Sequence, residues 1–479
     1  MVDYGTHRSF WFTELPDLAS SPALSGKQRA DVVVIGGGFA GLATAINLRQ
    51  LAPSIRVTLL EAEHIGFGAS GRNSGYVWPR VTTYGYLKHL FGLSRTREVY
   101  SYAARSCRYV EELISEFSLD SEYRKPGAIC AAIEPRYAAE MRAQLSFLRD
   151  LGGVRELREM TRHEVRAEID SPMLHEGFFD PDIGYIQPAK HARGLKRVAL
   201  GLGVVIHEMS PAIGISCGPH RVEITTPGGQ LVADRIVLAT NAYTNSLIGL
   251  NELGVRRHQY PGYVHCEITD VLSERSWQVS GWRAACGLIT AGPITHFMHR
   301  TSDSRIHWGC DVYFDIPRPA QMGPEYLPDY SKIMGQHLDQ YFPALAPVRP
   351  VHQWGGPVAL TPDGLPHLGF VKSERVLLAA GCNGNGVAMA HLNGRTAAEL
   401  LLGKQTEATT AWFVKRRPWR WPGRLSGLPE SRSPDKVSAV FRKTPPCHLR
   451  HALPPAIFAP TRLVAAGCTP SIGTLRTTK

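Results

Sequence analysis

The front of this 479-residue chain holds the feature that most constrains its fold: a short strand, a glycine turn, a helix and a second strand ending in an acid. The apolar, β-branched run 31–35 leads into Gly36-Gly37-Gly38-Phe39-Ala40-Gly41, and residues 42–48 have a helical pattern. Residues 57–60 form a second apolar run that ends at Glu61. This order is typical of a dinucleotide-binding βαβ unit, so we predict an α/β fold with a Rossmann-like sheet.

Each residue of this unit has a physical role in the prediction. Gly36 permits a tight turn, Gly38 lets the backbone approach a pyrophosphate, and Gly41 lets the helix pack closely against the strand. The helix N-terminus offers N–H groups and the positive end of a dipole. Glu61 can accept hydrogen bonds from a ribose hydroxyl. The alternative is a glycine-rich turn that holds no ligand.

Two later stretches are also rich in glycine. The loop Gly66–Gly75 follows the acidic strand end, where the middle of an extended cofactor would pass. Near the end, the apolar strand 376–380 leads into Gly381-Cys382-Asn383-Gly384-Asn385-Gly386 and a helical pattern over 387–402. Such a helix start suits a ring that becomes negatively charged on reduction. This segment has three interpretations: a second nucleotide site, the other half of the first nucleotide site, or a structural turn.

Strand patterns between these stretches indicate antiparallel structure. Residues 222–225 and 231–233 flank Pro227-Gly228-Gly229, which predicts a hairpin. Residues 255–315 alternate short strands with turns, for example at 263–268 and 305–309, which predicts an antiparallel sheet.

The charge of the chain is unevenly distributed. Its formal net charge is +11, but residues 404–479 carry 14 basic and 3 acidic side chains, so the first 403 residues are balanced at 39 of each. The basic run Lys415–Pro422 interleaves cations with tryptophans. One hypothesis is that this run contacts RNA or an anionic membrane surface. We favour a poorly ordered, solvated extension for 404–479. A third hypothesis is that the chain beyond about residue 423 is translated in a different reading frame from that of its relatives.

The sequence shows no signal for export or membrane insertion. No apolar run reaches 18 residues, and the first 17 residues mix charges into their aromatics. The nine cysteines are odd in number, widely spaced and without a Cys-x-x-Cys pair, which argues against a zinc module or a disulfide framework. We therefore predict a cytoplasmic protein.

Together the motifs resemble a known family. The early glycine turn, the loop Gly-Ala-Ser-Gly-Arg-Asn-Ser-Gly at 68–75, Thr-Pro-Asp-Gly-Leu-Pro at 361–366 and the late glycine loop look like the FAD-dependent D-amino-acid oxidase superfamily. Within it, Tyr-Pro-Gly-Tyr at 260–263 and the turn 303–305 are most similar to the γ-glutamylputrescine oxidase branch. The resemblance covers about residues 27–420.

The resemblance implies a discontinuous Rossmann-like FAD domain with an inserted α+β substrate domain that carries a large antiparallel sheet. The FAD domain would consist of residues 27–115, 185–250 and 350–403, and the substrate domain of residues 116–184 and 251–349. It also implies which residues contact FAD: Gly36, Gly38, Gly41 and Glu61 the ADP part, Ser70, Arg72, Asn73 and Ser74 the ribityl chain and isoalloxazine, Val205 the adenine, and Gly381, Asn383, Gly384 and Gly386 the pyrimidine end.

Departures from the family pattern refine these expectations. Sarcosine oxidase attaches its flavin through a cysteine where Val358-Ala359-Leu360 stands here, and related dehydrogenases use an early-loop histidine where this chain has Ser74. We therefore expect non-covalent FAD. In sarcosine oxidase a lysine after the late glycine loop binds the substrate carboxylate, and it aligns with Ala388 here. A simple N-methyl amino acid is therefore not favoured as substrate.

One histidine is a candidate for activating oxygen. A cation above the flavin would stabilise forming superoxide. In sarcosine oxidase this cation is a lysine two residues before a glycine, and His307 has the same spacing to Gly309 here. The alternative is that His307 is a packing residue. His296 and His299, three apart on a predicted strand, would face opposite ways, so we expect no metal site.

The expected function is that of an FAD-dependent oxidoreductase that oxidises a C–N bond of an amine or amino acid to an imine, with oxygen or another acceptor reoxidising the flavin. One alternative is an FAD dehydrogenase that passes electrons to a quinone or carrier protein. Another is an RNA-associated flavoprotein that uses the basic tail. No DNA partner is expected.

Overall fold

A computed structural model of the chain describes residues 9–15, 19–81, 84–151, 157–247, 255, 258–292, 295–310, 338–371, 373–417 and 419–420. Its helices are α1 (Phe10–Thr13), α2 (Phe39–Leu51), α3 (Tyr84–Glu116), α4 (Pro135–Leu151), α5 (Arg162–Glu168), α6 (Pro188–Gly201), α7 (Glu274–Ser280), α8 (Gly386–Leu401) and α9 (Glu407–Thr410). Its strands are β1 (Gly26–Ile35), β2 (Val57–Leu60), β3 (Tyr76–Val77), β4 (Ala128–Ala132), β5 (Arg158–Met160), β6 (Gly177–Asp180), β7 (Gly184–Tyr185), β8 (Val205–His207), β9 (Gly214–Cys217), β10 (Val222–Thr226), β11 (Gly229–Leu238), β12 (Tyr260–Thr269), β13 (Gly287–Ala291), β14 (His296–Arg300), β15 (Ile306–Cys310), β16 (Pro350–Leu360), β17 (His367–Val371) and β18 (Ser373–Ala380).

The first sheet is built around five parallel strands in the order β18-β11-β1-β2-β8. Strand β17 pairs antiparallel with β18. Strand β10 pairs antiparallel with β11 on one side, forming a hairpin, and with β9 on the other. From β1 the chain adds β2 and β8 on one side and later β11 and β18 on the other. Open α/β sheets bind ligands outside the carboxyl ends of their strands at such a reversal.

Two helices cover one face of this sheet and pack against each other. Most residues of α2 and almost all of α8 are buried, because small residues let both helices approach closely. A Cβ placed on Gly394 of α8 would lie 2.5 Å from the carbonyl oxygen of Ala40 in α2. Each helix directly follows a parallel strand, so both begin at the same edge of the sheet.

The second sheet has the order β16-β12-β15-β14-β13-β4-β6-β5. Its neighbouring strands are antiparallel except for the β13 and β4 pair. One face of it packs on a separate apolar core that includes Trp308, Trp282 and Phe342. The architecture is therefore the predicted one, a Rossmann-like sheet beside a large, mainly antiparallel sheet. The hairpin of β10 and β11 is also confirmed.

The placement of β16 differs from the predicted domain boundaries. Residues 350–403 were expected in the FAD domain, but Pro350–Leu360 pairs along its whole length with β12 of the second sheet. The rest of that segment, from β17 through α8, does belong to the first sheet and its helices. The other boundaries stay predictions.

Two terminal stretches pack onto the body. Near the N-terminus, Phe10, Trp11 and Phe12 of α1 are all buried. After α8, Phe413 is fully buried and the Lys415 N–H donates to the Leu368 carbonyl at 2.8 Å. Residues 404–420 therefore differ from the predicted poorly ordered extension, and residues 421–479 lie outside the described residues. Within the described part of the chain, no helix has the length and apolar character needed to cross a membrane.

Candidate active site

The early glycine turn is held so closely that side chains are excluded from it. Gly36 has a φ of +109°, and a Cβ there would lie 2.7 Å from the Ala239 carbonyl oxygen. A Cβ on Gly41 would lie 1.9 Å from the Gly36 carbonyl oxygen. Both approaches are shorter than any real Cβ contact, so only glycine brings the start of α2 to the carboxyl edge of β1.

The first turn of α2 is open to a ligand. Its N-cap is Gly38, which has no side chain to cap the helix. The Phe39 N–H donates to Ser70 Oγ at 2.9 Å. Because this hydroxyl accepts that bond, its own proton is free to be donated. A helix N-terminus with an adjacent hydroxyl donor is suited to a phosphate oxygen.

Glu61 lies at the end of β2 beside this turn. Its Oε2 accepts a hydrogen bond from the Gly37 N–H at 2.6 Å, and its Oε1 accepts one from the Glu63 N–H at 3.0 Å. Burial raises the pKa of Glu61 to about 7, although these two backbone hydrogen bonds lower it. A carboxylate has about four lone-pair sites, so it retains two with which to accept hydrogen bonds from ribose hydroxyls.

Val205, predicted to contact adenine, is not at the carboxyl edge. It is the first residue of β8, its side chain is 48% exposed, and it pairs with Thr58. The strand end, His207, pairs with Leu60 and lies two residues, or about 7 Å, further along. At this edge the backbone of Ser210 donates to the Glu61 carbonyl at 2.8 Å. Val205 therefore lies away from the edge where the cofactor is expected, and its predicted backbone contact with adenine stays a prediction.

The loop between β2 and β3 is fixed by its own polar side chains. Arg72 is buried and donates from Nε to the Phe67 carbonyl at 2.7 Å and from a terminal nitrogen to Gly355 of β16 at 3.2 Å. Asn73 Nδ2 donates to the Ser70 carbonyl at 2.9 Å, and Asn73 Oδ1 accepts from the Gly75 N–H. Arg72 and Asn73 thus position the loop and tie it to the second sheet. Whether they also contact the flavin stays a prediction.

Ser74 brings this loop against the second sheet. Its carbonyl accepts a hydrogen bond from His299 Nε2 at 3.0 Å, and its Oγ lies 3.7 Å from Cys266 Sγ. A Cβ on Gly309 of β15 would lie 2.7 Å from Ser74 Oγ. The loop therefore fills the space between the two sheets next to the early glycine turn.

The late glycine loop is shaped by left-handed backbone conformations. Gly381, Asn383 and Gly384 have φ values of +81°, +50° and +84°. Asn383 holds the loop, since its Oδ1 accepts from the Thr361 N–H at 2.8 Å and its Nδ2 donates to the Gly381 carbonyl at 2.7 Å. Helix α8 then begins at Gly386 with no side-chain hydrogen bond at its N-cap.

These two loops together fit FAD. The N-cap residues of α2 and α8 make no side-chain hydrogen bond to their helices, and both helices begin at the same carboxyl edge. A Cβ on Gly384 would meet no atom within 4 Å. One open helix N-terminus is available to the pyrophosphate and the other to the electron-poor ring.

The structure does not give His307 the charge expected of an oxygen-activating cation. Its ring is fully buried and stacks between Trp11, at 5.2 Å, and His299, at 5.0 Å. Burial and the neighbouring His299 hold the pKa of His307 well below its usual range. These surroundings favour the alternative interpretation, a packing residue, and a role of His307 in oxygen activation stays a prediction.

The two histidines of β14 contact different groups. His296 Nδ1 lies 3.3 Å from the Tyr341 hydroxyl, whereas His299 faces Ser74. Among the residues that the structure describes, no group of three or more His, Cys, Asp or Glu side chains could hold a metal ion.

Sequence reasoning missed two aromatic residues near these loops. Trp11 Nε1 donates to the Asn73 carbonyl at 2.9 Å, which binds the N-terminal stretch to the cofactor loop. Trp78 follows β3, and its ring centroid lies 6.3 Å from that of Phe297 in β14. Neither residue stands in a local motif, because each acts through contacts made far along the chain.

Two cysteines near the loops are poor nucleophiles. Burial raises the pKa of Cys266, next to Ser74, to about 12, and burial raises that of Cys382, in the late glycine loop, to about 12. Since the thiolate is the reactive form, neither thiol is activated for covalent attachment.

Comparisons with known proteins agree with this geometry. The FAD dependent oxidoreductase family matches residues 31–400. The probable oxidoreductase OrdL of Rhizobium meliloti (strain 1021) is 28% identical over 407 residues, 83% of this chain and 89% of that protein. The gamma-glutamylputrescine oxidoreductase of Escherichia coli (strain K12) is 26% identical over 399 residues, 82% of this chain and 89% of that protein.

Solved structures show the same fold. The glycine oxidase of Geobacillus kaustophilus superposes with a TM-score of 0.68 at 21% identity, over 81% of this chain and 99% of that one. The match to the family spans most of the described body and both helix N-termini that fit the cofactor. The chain belongs to the FAD dependent oxidoreductase family, and it is an FAD enzyme.

Proposed function

We propose that this protein oxidises the C–N bond of an amine or amino acid to an imine, with non-covalent FAD as cofactor and oxygen as the electron acceptor. Relatives named for gamma-glutamylputrescine and for glycine support this substrate class. The protonated thiols of Cys266 and Cys382 support non-covalent binding.

The observation that carries the proposal is that residues 76–80 connect the second sheet to the start of α8 across the gap between them. At one end the Tyr76 hydroxyl donates to the Met298 carbonyl of β14 at 2.7 Å. At the other, Asn385 Nδ2, next to the start of α8, donates to the Arg80 carbonyl at 2.7 Å. Trp78 lies between these two anchors in sequence, and this position supports a role for it beside a ring held at α8.

The chemistry of this gap suits an amine. Trp78 and Phe297 form an aromatic wall, and Trp78 Nε1 is buried with no hydrogen-bond partner among the described residues. The indole can therefore donate to a polar group of the substrate. Desolvation in such a buried gap disfavours an ammonium ion and favours the neutral amine, which is the form that can be oxidised.

The protein and the cofactor have separate tasks. Bound FAD supplies the capacity to accept two electrons and a hydrogen from the substrate. The chain would hold it at the N-termini of α2 and α8 with Glu61 at the ribose, and Arg72 would fix the loop beside it by its hydrogen bond to Gly355 of β16. The positive dipole end of α8 stabilises negative charge that develops nearby.

The test is anaerobic reduction of the purified protein. We expect acid precipitation to release the flavin as FAD into the supernatant, and one or more compounds from a panel of amines and amino acids to bleach the flavin absorbance. Admitting oxygen should restore the absorbance and yield one hydrogen peroxide per imine. Bleaching by none of the compounds would refute amine oxidation. Bleaching followed by restoration only with a quinone would refute oxygen as the acceptor and support a dehydrogenase.

A further inference from the structure

The first basic residues after α9 lie against two buried histidines at the edge of the first sheet. Arg420 Nε lies 3.3 Å from Nε2 of His258, which is 5% exposed. His367, the first residue of β17, is 3% exposed, and its ring meets that of His258 edge-on at 5.6 Å. Arg416 pairs with the fully buried carboxylate of Asp363.

This cluster has more hydrogen-bond donors than acceptors. His258 Nδ1, both ring nitrogens of His367, and Nε and one terminal nitrogen of Arg416 are buried without a hydrogen-bond partner in the part of the chain that the structure describes. Because His258 Nε2 accepts from Arg420, a neutral His258 carries its proton on Nδ1. Buried donors are normally paired, since leaving one unpaired costs free energy. Asp363 Oδ2, beside Arg416, is also buried without a hydrogen-bond partner among the described residues, and a neutral His367 offers one donor and one acceptor. The unpaired donors still outnumber the unpaired acceptors, so the cluster suits a further acceptor.

The charge of the cluster points to the same missing partner. Burial, with Arg420 and Arg417 nearby, lowers the pKa of His258 to about 4. Burial, with Arg416 and His258, holds the pKa of His367 well below its usual range. Both rings are thus neutral, and Arg416 pairs with the buried carboxylate of Asp363. Arg417 and Arg420 are exposed but close enough to act on His258, so the surroundings of the rings are positive and favour an anion.

We propose that His258, His367 and Arg416 form a binding site for one small oxyanion. Phosphate and carboxylate oxygens accept several hydrogen bonds and donate none when ionised, and arginine is a preferred partner for both. The site borders the late glycine loop, since the His367 backbone nitrogen lies 3.7 Å from where a Cβ on Gly381 would be. It contains none of the residues expected to hold FAD.

The experiment titrates sulfate into the FAD-loaded full-length protein by isothermal calorimetry in a chloride buffer free of oxyanions. We expect one sulfate per chain. Arg416→Gln should weaken binding about ten- to hundredfold, the loss expected for a hydrogen bond from a charged donor. Arg29→Gln removes the same charge from an exposed side chain of β1 and should leave binding unchanged.

A second variant guards against misfolding, because Arg416→Gln also removes the partner of Asp363. His367→Phe keeps the ring and the formal charge but removes both ring nitrogens, and it should weaken sulfate binding about tenfold. Absence of binding heat in the unaltered protein would overturn the proposal, as would equal affinities of Arg416→Gln, His367→Phe and Arg29→Gln. Neither result depends on amine oxidation.

The pH dependence and a second probe sharpen the assignment. The arginines 416, 417 and 420 and Asp363 surround the two rings, and the rings donate as neutral imidazoles, so sulfate affinity should stay nearly constant as the pH rises from about 5 to 8. Sulfate keeps its charge over this range. A fall of about tenfold or more in affinity over this range would contradict binding by neutral imidazoles. Binding of acetate as well as sulfate would identify a carboxylate site, and binding of sulfate alone a phosphate-type site.

Discussion

The early glycine turn and the late glycine loop deliver helices to the same sheet edge, but their glycines are needed for different reasons. A Cβ on Gly41 would lie 1.9 Å from a backbone oxygen, and one on Gly36 would lie 2.7 Å from another. A Cβ on Gly384 meets nothing within 4 Å, and one on Gly386 meets its nearest atom, Cys382 Cβ, at 3.7 Å. The early glycines are required by packing within the protein, whereas Gly384 and Gly386 of the late loop leave space free.

This difference separates folding from binding. Substitution in the early turn forces α2 away from β1, because the clashing atoms belong to the backbone and cannot rotate aside. Substitution at the start of α8 places atoms in open space, where the cofactor is expected. Similar glycine patterns therefore predict different losses, of stability in one place and of FAD affinity in the other.

The largest expected effect is that of Gly41→Ala. The added Cβ cannot fit beside the Gly36 carbonyl, so the variant should lose about 3 kcal/mol of unfolding free energy or more, in the upper range for overpacking. Chemical unfolding of the apoprotein, with Gly386→Ala as the matched control, measures this loss. A Gly41→Ala protein as stable as that control would show that the early turn is not closed by packing.

Glu61 gives the second largest effect, through pH. Its folded pKa of about 7 lies above its ordinary value of 4.5, so the folded state binds a proton more tightly than the unfolded chain. The unfolding free energy of the apoprotein should therefore fall, by about 2 kcal/mol, as the pH rises from about 4.5 to 7. Glu61→Gln should lose this dependence in urea titrations at both pH values, and should bind FAD more weakly. An unchanged slope in Glu61→Gln would assign the dependence to another group.

Gly386→Ala tests the late loop directly. Alanine is a better helix former than glycine by about 1 kcal/mol, so the apoprotein should be as stable as the unaltered chain or more so. The new methyl group stands at the open N-terminus of α8, so the dissociation constant of FAD should rise about tenfold, or about 1.4 kcal/mol. Fluorescence titration of the apoprotein with FAD measures it. An unaltered FAD affinity would indicate that the flavin ring does not bind at the N-terminus of α8.

Local patterns predicted the parts of the fold that depend on neighbours in sequence. Strand β2 has its predicted bounds, and the predicted helix 387–402 is α8 shifted by one residue. The turn Gly36–Gly41 was identifiable because a strand, a helix and an acid surround it within about 30 residues, and the spacing itself carries the geometry.

The parts that were missed depend on distant partners. Strand β16 contains Pro350, Gly355 and Gly356, which disfavour strands, and it forms because β12 pairs with it. The partners of Arg72 and the stacking of Trp11 on His307 join residues that lie hundreds of positions apart. Spacing to a glycine identified His307, but only its three-dimensional surroundings decide whether it is charged.

The smallest expected effect is that of His307→Phe, and it decides which group supplies positive potential at the ring. Phenylalanine preserves the stacking between Trp11 and His299, and the ring nitrogens of His307 have no hydrogen-bond partner among the described residues to lose. Reduced enzyme mixed with oxygen in a stopped-flow instrument should reoxidise within about twofold of the unaltered rate, whereas loss of a fixed charge at the reacting centre costs about 100-fold. A near-100-fold slowing would restore His307 as the cation. An unaltered rate removes His307 as the source of positive potential and leaves the open N-terminus of α8 and the buried Arg72, of which only the helix end belongs to the late loop and distinguishes it from the early turn.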